Sequence, residues 1–302
     1  FAAYVDGEPL SAGGKVGKTT ATSRPYTGNR IAILPDADTL DLVFHVSNFS
    51  YRKGGLWRSV TLGDRAGINR DWAFRSHFSL VSSGMLLLLS FVLASFYYFR
   101  PREKASLYFA LGSLASVLRI LSSDEIMIAE MFPQVSFPFV MTLQIASMQG
   151  VMVFNIIALR YLFPAEINLR LVRLLTMIYT AIILVTIFTP PLVFSYVVVF
   201  SQIMLLATLL YFCYVMYHAV RHKREGALII ATGILLSLVI SVFGILAVNN
   251  LTDKSLPAAF SIYLVFAIAQ IISISRIFGR SLTRIERFAD ELEATVQKRT
   301  EE

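Results

Sequence analysis

Residues His77–Phe99 run 23 positions without an acidic side chain, a lysine or an arginine. A helix of about 20 apolar residues crosses the hydrocarbon of a bilayer, where it satisfies its own backbone hydrogen bonds. Six further runs of this kind follow, at about 105–122, 138–159, 171–189, 192–217, 227–248 and 258–278. Seven spans of about 20 residues would absorb roughly 140 positions, which accounts for a chain that is 56% hydrophobic and only 16% charged. A single soluble enzyme domain and a disordered tail are excluded by the same arithmetic. The punctuation fits helices: Tyr97 and Tyr98 precede Arg100-Pro101-Arg102-Glu103-Lys104, Pro138 and Pro257 fall where a first turn tolerates proline, and Thr189-Pro190-Pro191 breaks the chain between two spans.

Charge gives an independent test of the span count. Beyond residue 76 there are 17 lysines and arginines, and fifteen sit in four places. These are Arg100, Arg102 and Lys104; Arg160, Arg170 and Arg173; Arg221, Lys223 and Arg224; and Arg276, Arg280, Arg284, Arg287, Lys298 and Arg299. The alternate connections hold Lys254 beside Asp124, Glu125, Glu130 and Asp253. Every second loop is basic, so the positive-inside rule places the N-terminus outside and the C-terminus in the cytoplasm. The basic residues beyond residue 76 are thereby accounted for by membrane topology, and no nucleic-acid partner is expected.

Residues 1–76 carry a different pattern. Phe1–Val5, Arg30–Leu34, Leu40–Phe49 and Leu56–Leu62 are short β-branched and aromatic runs, separated by turn signals at Asp6-Gly7, Ser11–Gly14, Pro35-Asp36 and Gly54-Gly55. Four strands are too few for a sandwich of the usual seven or eight. The expectation is the C-terminal part of an extracytoplasmic β-sandwich, with the rest upstream of Phe1 in a longer or processed protein. Past the last span, Leu282, Ile285, Ala289, Leu292 and Val296 keep 3-4-3-4 spacing. Such a seam reads as the start of a parallel, dimeric coiled-coil connector over 280–302, or else as a solvated amphipathic helix.

Several motifs invite stronger readings. Ala12-Gly-Gly-Lys-Val-Gly-Lys18-Thr19 matches a relaxed phosphate loop, but neither the strand before it nor the helix after it is indicated, so a Gly-rich turn is the better account. A retinal protein needs a lysine in its seventh span, and 258–278 has none. The acidic-Arg-Tyr and Asn-Pro-x-x-Tyr signatures of eukaryotic-type G-protein-coupled receptors are absent, since Leu159-Arg160-Tyr161 lacks the acid. His218 and His222 are spaced i, i+4, compatible with a metal, yet stand among Arg221, Lys223 and Arg224, which favours a lipid-headgroup patch. Cys213 is the single cysteine, so no internal disulfide framework forms. Asn48-Phe49-Ser50 is a formal glycosylation sequon. No catalytic constellation, metal site or cofactor site emerges.

Polar residues inside spans are costly and mark functional candidates. Arg119 is the sharpest, unless it snorkels toward Asp124 and Glu125. Gln144 and Asn155 lie eleven residues apart on one helical face, facing Gln202 or Gln270 in the expected bundle. Interhelical hydrogen bonding is the plainer account of these four. Gly233, Ser237 and Ser241 form a small-residue stripe suited to close packing.

The order of parts resembles a known family. An outer piece opening on Tyr4-Val5-Asp6-Gly7 and carrying Phe44-His-Val-Ser-Asn-Phe49 and Gly54-Gly55-Leu56-Trp57 is followed by seven spans and by Leu292-Glu-Ala-Thr-Val-Gln-Lys-Arg-Thr-Glu. Together these resemble the bacterial seven-transmembrane receptors with diverse intracellular signalling modules. The resemblance implies an inner-membrane receptor with a jelly-roll sensor domain and a cytoplasmic histidine kinase or diguanylate cyclase output. It implies a small extracytoplasmic ligand, for instance a carbohydrate or a carboxylate metabolite, and a homodimer joined through the C-terminal helix. The rival classes are a transporter, which the seven-fold count and the lack of broken helices disfavour, and a partner-dependent sensor without its own output.

Overall fold

The computed structural model describes residues 1–56, 60–123, 126–224 and 226–249 and the single positions 268, 271, 272, 275 and 279. The chain divides into two compact units, one of residues 1–164 with 168–206, the other of 165–167 with 207–302.

The first unit opens with a three-stranded antiparallel sheet. Strands β1 (Ala2–Val5), β2 (Glu8–Ala12) and β3 (Leu42–His45) lie in the order β2-β1-β3. Asp6 and Gly7 join β1 to β2 with φ of 49° and 84°, both positive as a two-residue type I′ hairpin turn requires. An Asp-Gly pair flanked by strands is a strong hairpin signal, so β2 could have been anticipated where only a turn was. Pro9 is tolerated because β2 is an edge strand. The expected strand at Arg30–Leu34 is irregular backbone with Ile31 and Ile33 exposed. Residues 57–59 of the expected last strand lie outside the described residues, and 60–62 are irregular. The Gly-rich segment after β2 is a loop closed by an antiparallel bridge between Lys15 and Arg24, with Thr22 and Ser23 N–H donating to the Thr19 carbonyl; no helix follows it, and a phosphate cradle is excluded.

Helices begin earlier than the apolar run suggests. Asp64 caps α1 (Arg65–Phe99) by accepting from the Gly67 N–H at 2.9 Å. At 35 residues α1 is about 52 Å long, more than the roughly 30 Å of hydrocarbon, so residues 65–76 are helical and do not belong to the sheet. Then come α2 (Lys104–Leu121), the short α3 (Met127–Met131), α4 (Phe137–Leu162), α5 (Leu169–Phe188), α6 (Pro191–Arg221) and α7 (Ala227–Val248). Ser136 and Asn168 cap α4 and α5 through their side chains. Six of these helices are long and apolar enough to cross a membrane.

In the first unit α2 packs on α1 and α4, and α4 on α5. Small residues set the approach of α2 to α4. A Cβ at Gly112 would lie 3.1 Å from Asn155 Nδ2, and one at Gly150 3.6 Å from the Ala115 methyl. The Ser90 hydroxyl donates to the Ala110 carbonyl at 2.9 Å, tying α1 to α2. In the second unit, Phe212, Val215, Met216 and Ala219 of α6 and Ile230 and Ile234 of α7 are buried. Arg224 forms an ion pair with Glu166 there. The expected seventh span at 258–278, the seam residues Leu282, Ile285, Ala289, Leu292 and Val296, and Gln270 lie outside the described residues.

Candidate functional site: the junction at the Arg119 end of the bundle

One loop of the N-terminal segment is built to sit on the helix ends. The Asn48 carboxamide oxygen accepts from the Ser50 and Tyr51 N–H groups at 3.3 and 3.2 Å, and its Nδ2 donates to the Tyr51 carbonyl. Such an Asx turn substitutes for a backbone turn and fixes where the next side chain points. Here that side chain is Tyr51, which packs against Val140, Met141 and Ile145 of α4 and Phe194 of α6. The next residue anchors the loop a second time: the Arg52 N–H donates to the Ser195 hydroxyl of α6 at 3.0 Å, and that hydroxyl in turn donates to the Leu192 carbonyl.

Arg119, Gln144 and Ser123 meet beneath this loop. Arg119 Nη1 donates to the Gln144 carbonyl at 3.4 Å. The Gln144 amide donates to the Ser123 hydroxyl at 3.5 Å, and Ser123 donates to the Arg119 carbonyl at 2.6 Å. The Ser147 hydroxyl adds a second donor to the Gln144 carbonyl at 3.2 Å. A charged residue within an apolar helix is thus held at the junction by α4 and lies close enough to Tyr51 to act on its phenol. Burial raises the Tyr51 phenol above its ordinary value near 10, while Arg52 and Arg119 pull in the opposite direction. Partial burial and the neighbouring Arg52 lower Lys53. The Arg119 end of the bundle therefore carries a partly desolvated cluster of positive charge around one tyrosine.

The intramembrane candidates separate into two groups. Arg119 and Gln144 belong to the junction. Asn155 lies on the same face of α4 as Gln144, but that face meets α2: Asn155 is buried against Gly112 and donates to the Val151 carbonyl at 2.8 Å. Gln202 is half-buried on α6, and Asp124 and Glu125, toward which Arg119 was expected to reach, lie outside the described residues. His218 meets Tyr214 and Tyr217 edge-to-face, at ring separations of 4.6 and 5.5 Å, and its ring lies 6.3 Å from that of His222. Among the described residues no group of three metal-ligating side chains forms. In α7, Gly233 and Ser237 are buried, and the Ser237 hydroxyl donates to the Gly233 carbonyl.

Sequence reasoning missed Tyr51, because one tyrosine in a loop carries no periodicity. The Asn48-x-x-Tyr51 spacing was visible, but as a sequon rather than as a turn. It also missed Gln149, a fully buried amide of α4 whose Nε2 and Oε1 have no hydrogen-bond partner.

A small antiparallel sheet whose following loop is seated on a bundle of apolar helices defines a multi-pass membrane protein with an extramembrane sheet-bearing segment. The model of the family described as 7TM diverse intracellular signalling matches residues 76–280, and the chain belongs to that family of membrane signalling receptors. No curated protein and no solved structure matches the chain.

Proposed function

We propose that this chain is the sensing and transmembrane portion of a bacterial inner-membrane receptor. In this reading the sheet-bearing segment is extracytoplasmic, the seventh span is residues 258–278, and the seam from Leu282 to Val296 pairs with a second copy. In this reading residues 1–302 carry no catalysis; a histidine kinase or diguanylate cyclase joined to the connector does. The sheet, with Val43 and Phe44 half-exposed on β3, is read as part of a larger jelly roll. The basic loops at Arg100–Lys104, Arg160–Arg173 and Arg221–Arg224 face the cytoplasm by the positive-inside rule.

The observation that carries the proposal is the seating of Tyr51 and Arg52 on α4 and α6 beside Arg119. A small ligand outside then alters the bundle by changing how this loop sits. The positive cluster of Arg52, Lys53 and Arg119 suits a carboxylate ligand better than a neutral sugar. The shift requires that the ligand bind one bundle state more tightly, each ~1.4 kcal/mol moving the equilibrium tenfold.

Two measurements on the full-length protein test this. Single cysteines placed in a Cys213→Ser background should react with an impermeant reagent from outside at Asp64, Pro133 and Thr189, and only after permeabilisation at Arg102, Ala165 and Lys223. The reverse pattern would overturn the orientation. Tyr51→Ala should shift the basal intracellular output, read as phosphotransfer or cyclic dinucleotide level, without changing membrane insertion. Output indifferent to Tyr51→Ala and to Arg119→Gln would remove the junction from signalling.

A further inference from the structure

A groove of about 510 Å3 runs between α4 and α5, away from the junction. Arg173, Thr176, Met177, Thr180, Ala181 and Leu184 line it from α5, and Ile157 from α4. The α5 residues recur at three- and four-residue steps, so they form one face of that helix. From Arg173 to Leu184 the face extends about 16 Å, half of a hydrocarbon core of about 30 Å. The groove therefore has the length of one leaflet, and its mouth lies at the basic end of the bundle. The inside of the groove is apolar except for two threonines.

Its mouth carries polar groups without partners. Many hydroxyls in these helices return to a carbonyl of the preceding turn, as Thr186 to Ile182 at 2.8 Å, Thr189 to Val185 at 2.7 Å and Ser116 to Gly112 at 2.9 Å, while Ser76, Ser82 and Ser83 of α1 are buried without one. The Thr176 hydroxyl is buried and has no partner. Arg160, one helical turn beyond Ile157 on α4, has a buried Nε that is also unpartnered. Arg173 is exposed and lines the groove one turn before Thr176. Two buried donors without partners, the Thr176 hydroxyl and Arg160 Nε, and the exposed Arg173 guanidinium thus fall on the helical turns at the head of a slot of acyl-chain length.

We infer that the α4–α5 groove is a binding site for an anionic phospholipid of the leaflet on the basic side, one acyl chain lying along Met177–Leu184 and the phosphate held by Arg160, Arg173 and Thr176. A lipid supplies both halves of what the groove lacks, an apolar rod and an anionic oxygen acceptor, whereas a free phosphate supplies only one. The site is separate from the Tyr51–Arg119 junction, and its occupancy does not depend on the signalling proposed above.

The test is retention of lipid by the full-length protein. The protein is moved from nanodiscs of phosphatidylcholine with phosphatidylglycerol into mild detergent and weighed by native mass spectrometry. Phosphatidylglycerol should be retained in preference to phosphatidylcholine and should resist excess inorganic phosphate. Each of Arg160→Gln and Arg173→Gln should cut retention roughly fivefold, and Ala181→Trp, which fills the slot, should abolish it. Thr176→Val, nearly isosteric, gives a second arm that folding cannot confound and should reduce the preference for the anionic lipid. Equal retention of the two lipids, displacement by inorganic phosphate, or retention unchanged in these variants would overturn the inference. So would a disulfide forming readily between a cysteine at Met177 and one within 258–278, since protein would then cover the groove.

Discussion

The α2–α4 pair and α7 are opposites in composition and in placement. Helix α2 is the least apolar of the six spanning helices, with mean hydropathy 1.3, and 56% of that stretch is buried; α7 is the most apolar, at 2.6, and only 22% is buried. The order holds through all six helices, α4 at 1.5 being half buried. In water the relation would be reversed. In a bilayer the solvent is itself apolar, so leucine gains nothing by leaving lipid, and helices choose neighbours by close approach and by hydrogen bonds. The buried residues of α2 accordingly include Ala105, Ser106, Ala110, Gly112, Ser113, Ala115 and Ser116 around the larger Phe109, Val117 and Ile120, while α7 exposes Leu228, Leu235, Leu236 and Phe243.

The sharpest way to break this contrast is a pair of glycine substitutions. Gly112→Leu drives a side chain into Asn155 and Phe154 and should cost about 2–3 kcal/mol by overpacking. Gly244→Leu on α7, where an added Cβ meets nothing within 4 Å, should change stability by less than about 0.5 kcal/mol. Thermal unfolding of both variants in the same detergent decides it, and equal losses would mean that α7 is packed as tightly as α2.

Next in size is Gln149→Leu. Removing a buried amide with no partner should stabilise the protein by about 1–2 kcal/mol, and a loss instead would reveal a partner for Gln149 in the membrane-embedded protein. Ion-pair loss in the second unit comes third. Arg224→Ala leaves the nearly buried Glu166 uncompensated, whereas Glu166→Ala frees an arginine that is half exposed. The first should cost about 1 kcal/mol more than the second, and high salt should narrow the gap.

The smallest effect is at the junction. Because the Tyr51 phenol is raised by burial, it is protonated in both folded and unfolded chains below pH about 10. Its contribution to stability is complete there and is lost as pH climbs from that value through the raised one. An alkaline spectrophotometric titration should lose one late-titrating phenol in Tyr51→Phe, and the fall in stability above pH 10 should become shallower. An unchanged late phase would place Tyr51 in solvent.

Much of the bundle was legible because hydropathy reports residence in lipid one residue at a time. The starts of α4 and α5 were also local events, with Ser136, Pro138 and Asn168 carrying their own capping chemistry. The β2 strand and the true start of α1 were missed for different reasons. The edge strand Glu8–Ala12 is held by pairing with β1, which its own sequence, with Pro9 inside it, does not advertise. Residues 65–76 are too charged to register as a span, although Asp64 had the residue type of a cap.

The sequence by itself determined that this chain lives in a membrane, where the apolar stretches of the six described spanning helices fall, and which alternate loops are basic, because those properties are set by one-dimensional runs of apolar and charged side chains. It also singled out Arg119, Gln144 and Asn155 by the cost of a polar group in hydrocarbon. Only the tertiary structure decided that Arg119 and Gln144 belong to a junction while Asn155 belongs to a helix contact. It alone brought Tyr51 to Phe194, 143 residues away along the chain, and put Ile157 of α4 and Arg173 of α5 in the lining of one groove. Such pairings depend on which helix faces which, and that is settled by small residues meeting across space, a relation no local stretch of sequence contains.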